Sequence, residues 1–163
     1  MLRSIPIIAF VLVLLLVLSN NNAFSADHDK LLTNIADQLD QTRIDLARIQ
    51  LELAKLNREL NSQNISGINC ILDHFTKFCS YEKKIILIFR HVKNEERKNI
   101  ALYLHRQLIP IKGMFERAKK IFRLNYSALQ HNSALYLADK AKAKIDEVEN
   151  LYDRLLNIYG SLY

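Results

Sequence analysis

From Leu32 to Leu60 the apolar residues fall at Leu32, Ile35, Leu39, Leu46, Ile49, Leu53, Leu56 and Leu60. The steps are three and four, and Thr42 is the one polar member of the series. Such a seam runs down one face of an α-helix and needs a partner helix to bury it. It predicts a first helix from about Asp29 to Asn61. Asp27, Asp29 and Asp37 sit near its positive end, where the helix dipole favours them. Asp40–Arg43, Asp45–Arg48 and Glu52–Lys55 are i,i+3 pairs on its flanks. A second row, Ile44, Ala47, Leu51 and Ala54, steps in the same way and lies largely across the helix from the first. One stripe is enough in a simple bundle. Two stripes place the helix either centrally in its own bundle or against another chain.

The pattern breaks over Ser62-Gln63-Asn64-Ile65-Ser66-Gly67, which holds several turn formers and the first glycine. A second helix is expected from about Asn69, with Ile71, Phe75, Phe78, Ile85, Phe89 and Val92 on its inner face. Within it, Ile85-Ile86-Leu87-Ile88-Phe89 is apolar all round and reads as deeply buried. Pro110 and Gly113 form the next break, since proline removes a donor and disfavours helix just before it. A third helix then begins near Lys112. Its first seam is Ile111, Phe115, Ala118, Phe122 and Leu129. Its second is Ala134, Ala138, Ala141, Ile145, Val148, Tyr152, Leu155, Tyr159 and Leu162.

The expected fold is therefore all-α: an antiparallel bundle of three long helices with coiled-coil-like packing, joined by short connections. The alternative is four helices, with a turn near Asn94 or Asn132. Arg90-His91-Val92-Lys93 is cationic and precedes Asn94-Glu95-Glu96, the pattern of one helix ending and another being capped. Gln130-His131-Asn132-Ser133 coincides with the register shift between the two seams of the third helix. No strand-like alternation is sustained anywhere.

Residues 1–25 read differently from the rest. Arg3 is a short positive start, Ile5 to Leu18 is an apolar run, and Ala23-Phe24-Ser25 ends in small residues at −3 and −1. That is the pattern of a secretory signal peptide cut after Ser25. The apolar run is shorter than the roughly 20 residues of a membrane span. Residues 26–163 are then a single domain, large enough to close a core without staples. The compartment is secreted or periplasmic, an oxidising space for Cys70 and Cys79. The two lie nine positions apart, about 13 Å along one continuous helix, whereas a disulfide needs Cα atoms within about 7 Å. A bridge is expected on the condition that Cys70 lies outside the helix that holds Cys79; otherwise the thiols are available to link two chains.

The net charge of +6 is uneven. Residues 63–132 carry thirteen Lys/Arg against five Asp/Glu, while both flanking segments are slightly acidic. Lys119-Lys120-Ile121-Phe122-Arg123 is the densest part, and Lys119, Lys120 and Arg123 are the candidate basic patch. It reads as attraction to an acidic envelope surface, or more plainly as a solvated face. No motif supports nucleic-acid binding.

Cleavage after Ser25 would expose Ala26-Asp27-His28 as a new amino terminus. A free amine, two backbone amides and an imidazole at the third position make four nitrogens in a plane, which suits Cu(II) or Ni(II). Over these three residues the chain resembles the amino-terminal copper- and nickel-binding motif of serum albumins. The resemblance implies a metal site on Ala26, Asp27 and His28. His74, His91, His105 and His131 have no ligand-like spacing. Nucleophile turns, phosphate loops and zinc-protease motifs are absent. Asn64 and Asn125 fit the glycosylation triplet; Asn64 is expected on a loop, Asn125 on an inner row.

The function expected from these residues is non-enzymatic: a secreted or periplasmic bundle acting through protein contacts in the cell envelope. Ile44, Ala47, Leu51 and Ala54 are its candidate surface, meeting another protein or a second copy. An envelope protein binding Cu(II) or Ni(II) is the alternative, and a secreted helical signal or effector protein is a further one. Up-up-down-down signalling bundles need long crossovers, which the short breaks here do not supply.

Overall fold

A computed structural model describes residues 26–163, which form four α-helices: α1 (Ala26–Leu60), α2 (Gln63–Phe89), α3 (Asn94–Ser127) and α4 (Asn132–Ser161). The signal peptide expected over residues 1–25 lies outside the described residues, as do the side chains of Ala26, Asp27 and Asn94. The links between helices are two to four residues long, so successive helices run antiparallel. The arrangement is up-down-up-down. α1 packs against α2 and α4, α3 packs against the same two, and α2 and α4 also meet across the diagonal. α1 and α3 therefore occupy opposite corners and present opposite faces outward.

The seam of α1 is buried from Leu32 to Leu53, Thr42 included. Each of its aliphatic side chains contributes roughly 1.5–3 kcal/mol when taken out of water. Thr42 is tolerated because its hydroxyl proton has an acceptor in either direction: Oγ1 lies 2.8 Å from Gln38 O and 2.7 Å from Glu147 Oε1 on α4, and donates to one of them at a time. Flanking ion pairs fix the register. Lys83 of α2 reaches Asp40 at 2.8 Å and Lys144 of α4 reaches Asp45 at 3.0 Å. Hydrogen bonds from these two lysines hold both carboxyls below the usual carboxylate range.

Three helices become four because both cationic or polar breaks form turns and the proline break does not. α2 ends at Phe89 and α3 starts at Asn94, with Lys93 as its N-cap. Glu95 and Glu96 occupy the first turn of α3, where the dipole favours acids. Residues 128–131 separate α3 from α4. Pro110 and Gly113 lie inside α3, both exposed. Leu104, Leu108, Phe115 and Phe122 keep one buried row through this stretch. The missing proline N–H is the one that would have met Arg106 O, which lies on the solvent side. Packing of the inner row overrides the local preference.

The first turn is also tighter than expected. Asn61 takes a left-handed conformation, φ 48°, which asparagine tolerates better than most residues. Ser62 Oγ then caps α2 by accepting from Ile65 N. The helix resumes at Gln63, so Gly67 is helical. Its lack of a side chain serves an approach of α2 to Asn125 of α3, whose Cγ would sit 2.7 Å from an added Cβ. Two further expectations fail. Leu87 and Ile88 are exposed, because α2 meets its neighbours on one side at that level. Asn64 lies in the first turn of α2 and not on a loop.

The core closes among these four helices alone. At its centre, Phe115 of α3 packs 4.9 Å from Phe75, 5.0 Å from Phe78 and 5.4 Å from Tyr152, measured between ring centroids. The T-shaped geometries at Phe78 and Tyr152 set positive ring edges against negative faces.

Candidate interaction surfaces

The second row of α1 does not go inside. Ile44 is 40% exposed and Leu51 56%, Ala47 is exposed, and Ala54 is half-buried. The central-position reading fails for this row, because α1 sits at a corner and its neighbours approach from the other side. Asp37, Arg48, Glu52 and Lys55 flank the row on one side, all exposed. The patch is thus apolar along its row and carries both signs of charge along one edge.

A larger outward face lies on α3, and sequence reasoning missed it. Tyr103, Ile109, Met114, Ile121 and Leu124 are exposed, Leu124 by 63%. Arg106, Arg117 and Lys120 alternate with them, also exposed. The signal was present in the steps of seven, four, seven and three from Tyr103 through Pro110, Met114 and Ile121 to Leu124. A break placed at Pro110 divided that row between two helices and hid it.

The candidate basic patch is not one patch. Lys120 turns outward with the α3 face. Lys119 and Arg123 face α4, where they line a cleft of about 220 Å³ with Phe122, Tyr126, Lys142, Ile145 and Asp146. Lys119 is tied to Glu149 at 2.6 Å, and that hydrogen bond raises its pKa. Arg123 and Lys142 have no carboxylate within ion-pair distance among the described residues. Three cations against one lining carboxylate make the cleft positive.

Buried polar groups form the remaining chemistry. Glu82 is 6% exposed, in the inner row of α2 between Cys79 and Ile86. No ion pair reaches it among the described residues, and burial raises its carboxyl to about 7. Tyr159 of α4 is fully buried, and its hydroxyl has no hydrogen-bond partner among the described residues. Burial first, and then the Glu82 charge, push its pKa well up. Sequence reasoning passed over Glu82, although its place in the row Phe75, Cys79, Glu82, Ile86 and Phe89 marks it as inward.

The disulfide is not formed. Cys70 and Cys79 are both free, and both lie on the continuous helix α2, one exposed and one buried. The condition for closure is unmet, since α2 starts seven residues before Cys70. Burial raises the Cys79 thiol to about 12, which leaves it protonated and unreactive.

Backbone from Ala26 through His28 forms the first turn of α1. Its amides are among those a helix leaves without intrahelical partners. No group of three or more His, Cys, Asp and Glu able to hold a metal occurs among the described residues. His105 Nδ1 lies 2.7 Å from Tyr163 Oη, a contact that anchors the end of the chain on α3. Asn125 is half-buried, and its Nδ2 donates to Ile121 O at 2.9 Å, one turn earlier in its own helix.

Comparison with protein-family models, with curated proteins and with solved structures gives no match to this chain.

Proposed function

We propose that this protein works by contact and not by catalysis, as a secreted or periplasmic bundle that pairs through the outward row of α1. The observation that carries the reading is the exposure of Ile44 and Leu51, on a helix whose inner seam is already buried from Leu32 to Leu53. A core that is complete without these residues leaves their regular spacing unexplained by folding. A second copy of the chain is the partner that the patch matches best. A two-fold interface must be complementary to itself, and this patch carries Arg48 and Lys55 as well as Asp37 and Glu52 along one flank of its apolar row. The pattern of residues 1–25 supports export. No helix among the described residues is long and apolar enough to cross a membrane.

The test is Ile44→Asp combined with Leu51→Asp, with mass measured by light scattering over a concentration series. The parent chain should associate as concentration rises, and the variant should stay at the monomer mass with unchanged helicity. Equal masses for the two proteins at every concentration would end the self-pairing reading. A different protein captured by the parent and lost by the variant would keep the surface and replace the partner.

A further inference from the structure

We propose that the outward face of α3 docks on the surface of an anionic phospholipid bilayer. This goes beyond the pairing through α1, because α3 stands at the opposite corner of the bundle and faces away from it. The two faces also differ in kind. The α1 patch mixes both charges, whereas the exposed charges between Lys98 and Ser127 are Lys98, Arg106, Lys112, Arg117, Lys120 and Arg123 against the single acid Glu116. Arg106, Lys112, Arg117, Lys120 and Arg123 have no ion-pair partner among the described residues, so their charge is not spent inside the protein.

Charge alone would fit any polyanion, and the apolar residues narrow the choice. Tyr103, Met114, Ile121 and Leu124 stand out between the cations along about 30 Å of helix. A phosphate backbone gives an exposed isoleucine or leucine nothing to bury against. A bilayer surface offers both partners in one plane: phosphates for the cations and the acyl boundary for the aliphatic side chains. The helix does not cross the bilayer but lies along it. On the flank nearer α4, Arg123 and Lys142 line the positive cleft and widen the cationic border. That border lies where headgroups would meet the side of the bundle.

The experiment uses residues 26–163, whose four helices close their own core, in flotation with vesicles. Vesicles of phosphatidylcholine with phosphatidylglycerol are compared with phosphatidylcholine alone. The parent should float with the anionic vesicles, remain with the buffer beside the neutral ones, and be released by high salt. Arg117→Glu with Lys120→Glu should weaken partition about thirtyfold or more. Ile121→Ser with Leu124→Ser should weaken it about tenfold. All four positions are exposed, and circular dichroism confirms that each variant is folded. Ile44→Asp with Leu51→Asp should float like the parent, which separates failure here from failure of the α1 reading. Equal flotation with both vesicle types, or none with either, overturns the proposal. So does unchanged binding by both α3 variants, or loss of binding by the α1 variant. Capture of an acidic protein or a nucleic acid by a chain that ignores anionic vesicles overturns it too.

Discussion

Arg97 Nη1, in the first turn of α3, lies 3.1 Å from Asp29 Oδ1, one turn into α1. The pair joins the two helices that otherwise stand at opposite corners. Arg97 is 3% exposed. Its Nε donates to Val92 O at 3.1 Å and its Nη2 to Arg90 O at 2.8 Å, carbonyls that the end of α2 leaves open. Its guanidinium also lies 5.5 Å from the Phe89 ring centroid. One side chain thus closes the α2–α3 turn and ties it to the start of α1.

Replacing Arg97 by Met keeps the stem and removes the charge and its donors. One buried carbonyl, one part-buried carbonyl and a half-buried carboxylate then lose their partner. Unfilled buried acceptors cost about 1–3 kcal/mol each when water cannot reach them. We expect a loss of about 2–4 kcal/mol in a urea titration, and a Tm lower by roughly 10 °C. A variant within about 0.5 kcal/mol of the parent, the range of ordinary surface changes, would show that this clip is not a structural tie.

Glu82 should make the fold sensitive to mild pH. Burial raises its folded-state carboxyl from 4.5 to about 7. Between those values the folded chain binds more protons than the unfolded one, so stability falls as pH rises. The contribution is complete below 4.5 and lost as pH passes through about 7. Its size is on the order of 3 kcal/mol, since each tenfold difference in proton affinity between the folded and unfolded chains is worth about 1.4 kcal/mol. Asp40 and Asp45 act in the opposite sense at lower pH. Their lowered values give stability that is lost as pH falls below 3.8 through the folded values. Glu82→Gln should remove the slope between pH 4.5 and 7, with midpoints measured in urea at several pH values. Parallel curves for parent and variant would refute the burial argument.

The two helical glycines away from the carboxyl end should respond with opposite signs. An added Cβ at Gly113 meets nothing within 4 Å, so Gly113→Ala should stabilise by about 0.5–1 kcal/mol through the unfolded state and helix propensity. At Gly67 the same atom would collide with the carboxamide of Asn125, which is held by its bond to Ile121 O. Gly67→Ala should therefore destabilise by about 1–2 kcal/mol despite the propensity gain. Asn125→Ala should recover much of that loss in a double-mutant cycle. Two stabilising alanines would mean that α2 and α3 do not approach closely at this level.

The repeat of apolar residues every three or four positions was enough to determine an all-helical chain, the buried seam of α1 and most inner faces, because burial of a stripe is a local consequence of helix geometry. It also marked Ile44 and Leu51 as a second row and made closure of Cys70 with Cys79 conditional. Where the helices end was decided by tertiary packing. Leu108 and Phe115 hold one inner row across Pro110 and Gly113, and Asn125 fills the space that Gly67 leaves open. The outward face of α3 became visible only once that helix was continuous, since a surface made of residues from Tyr103 to Leu124 exists only if one axis carries them all. Which apolar row is covered, and which carboxylate is left in the core without a cation, depends on where the neighbouring helices stand, and no periodicity within one segment contains that information.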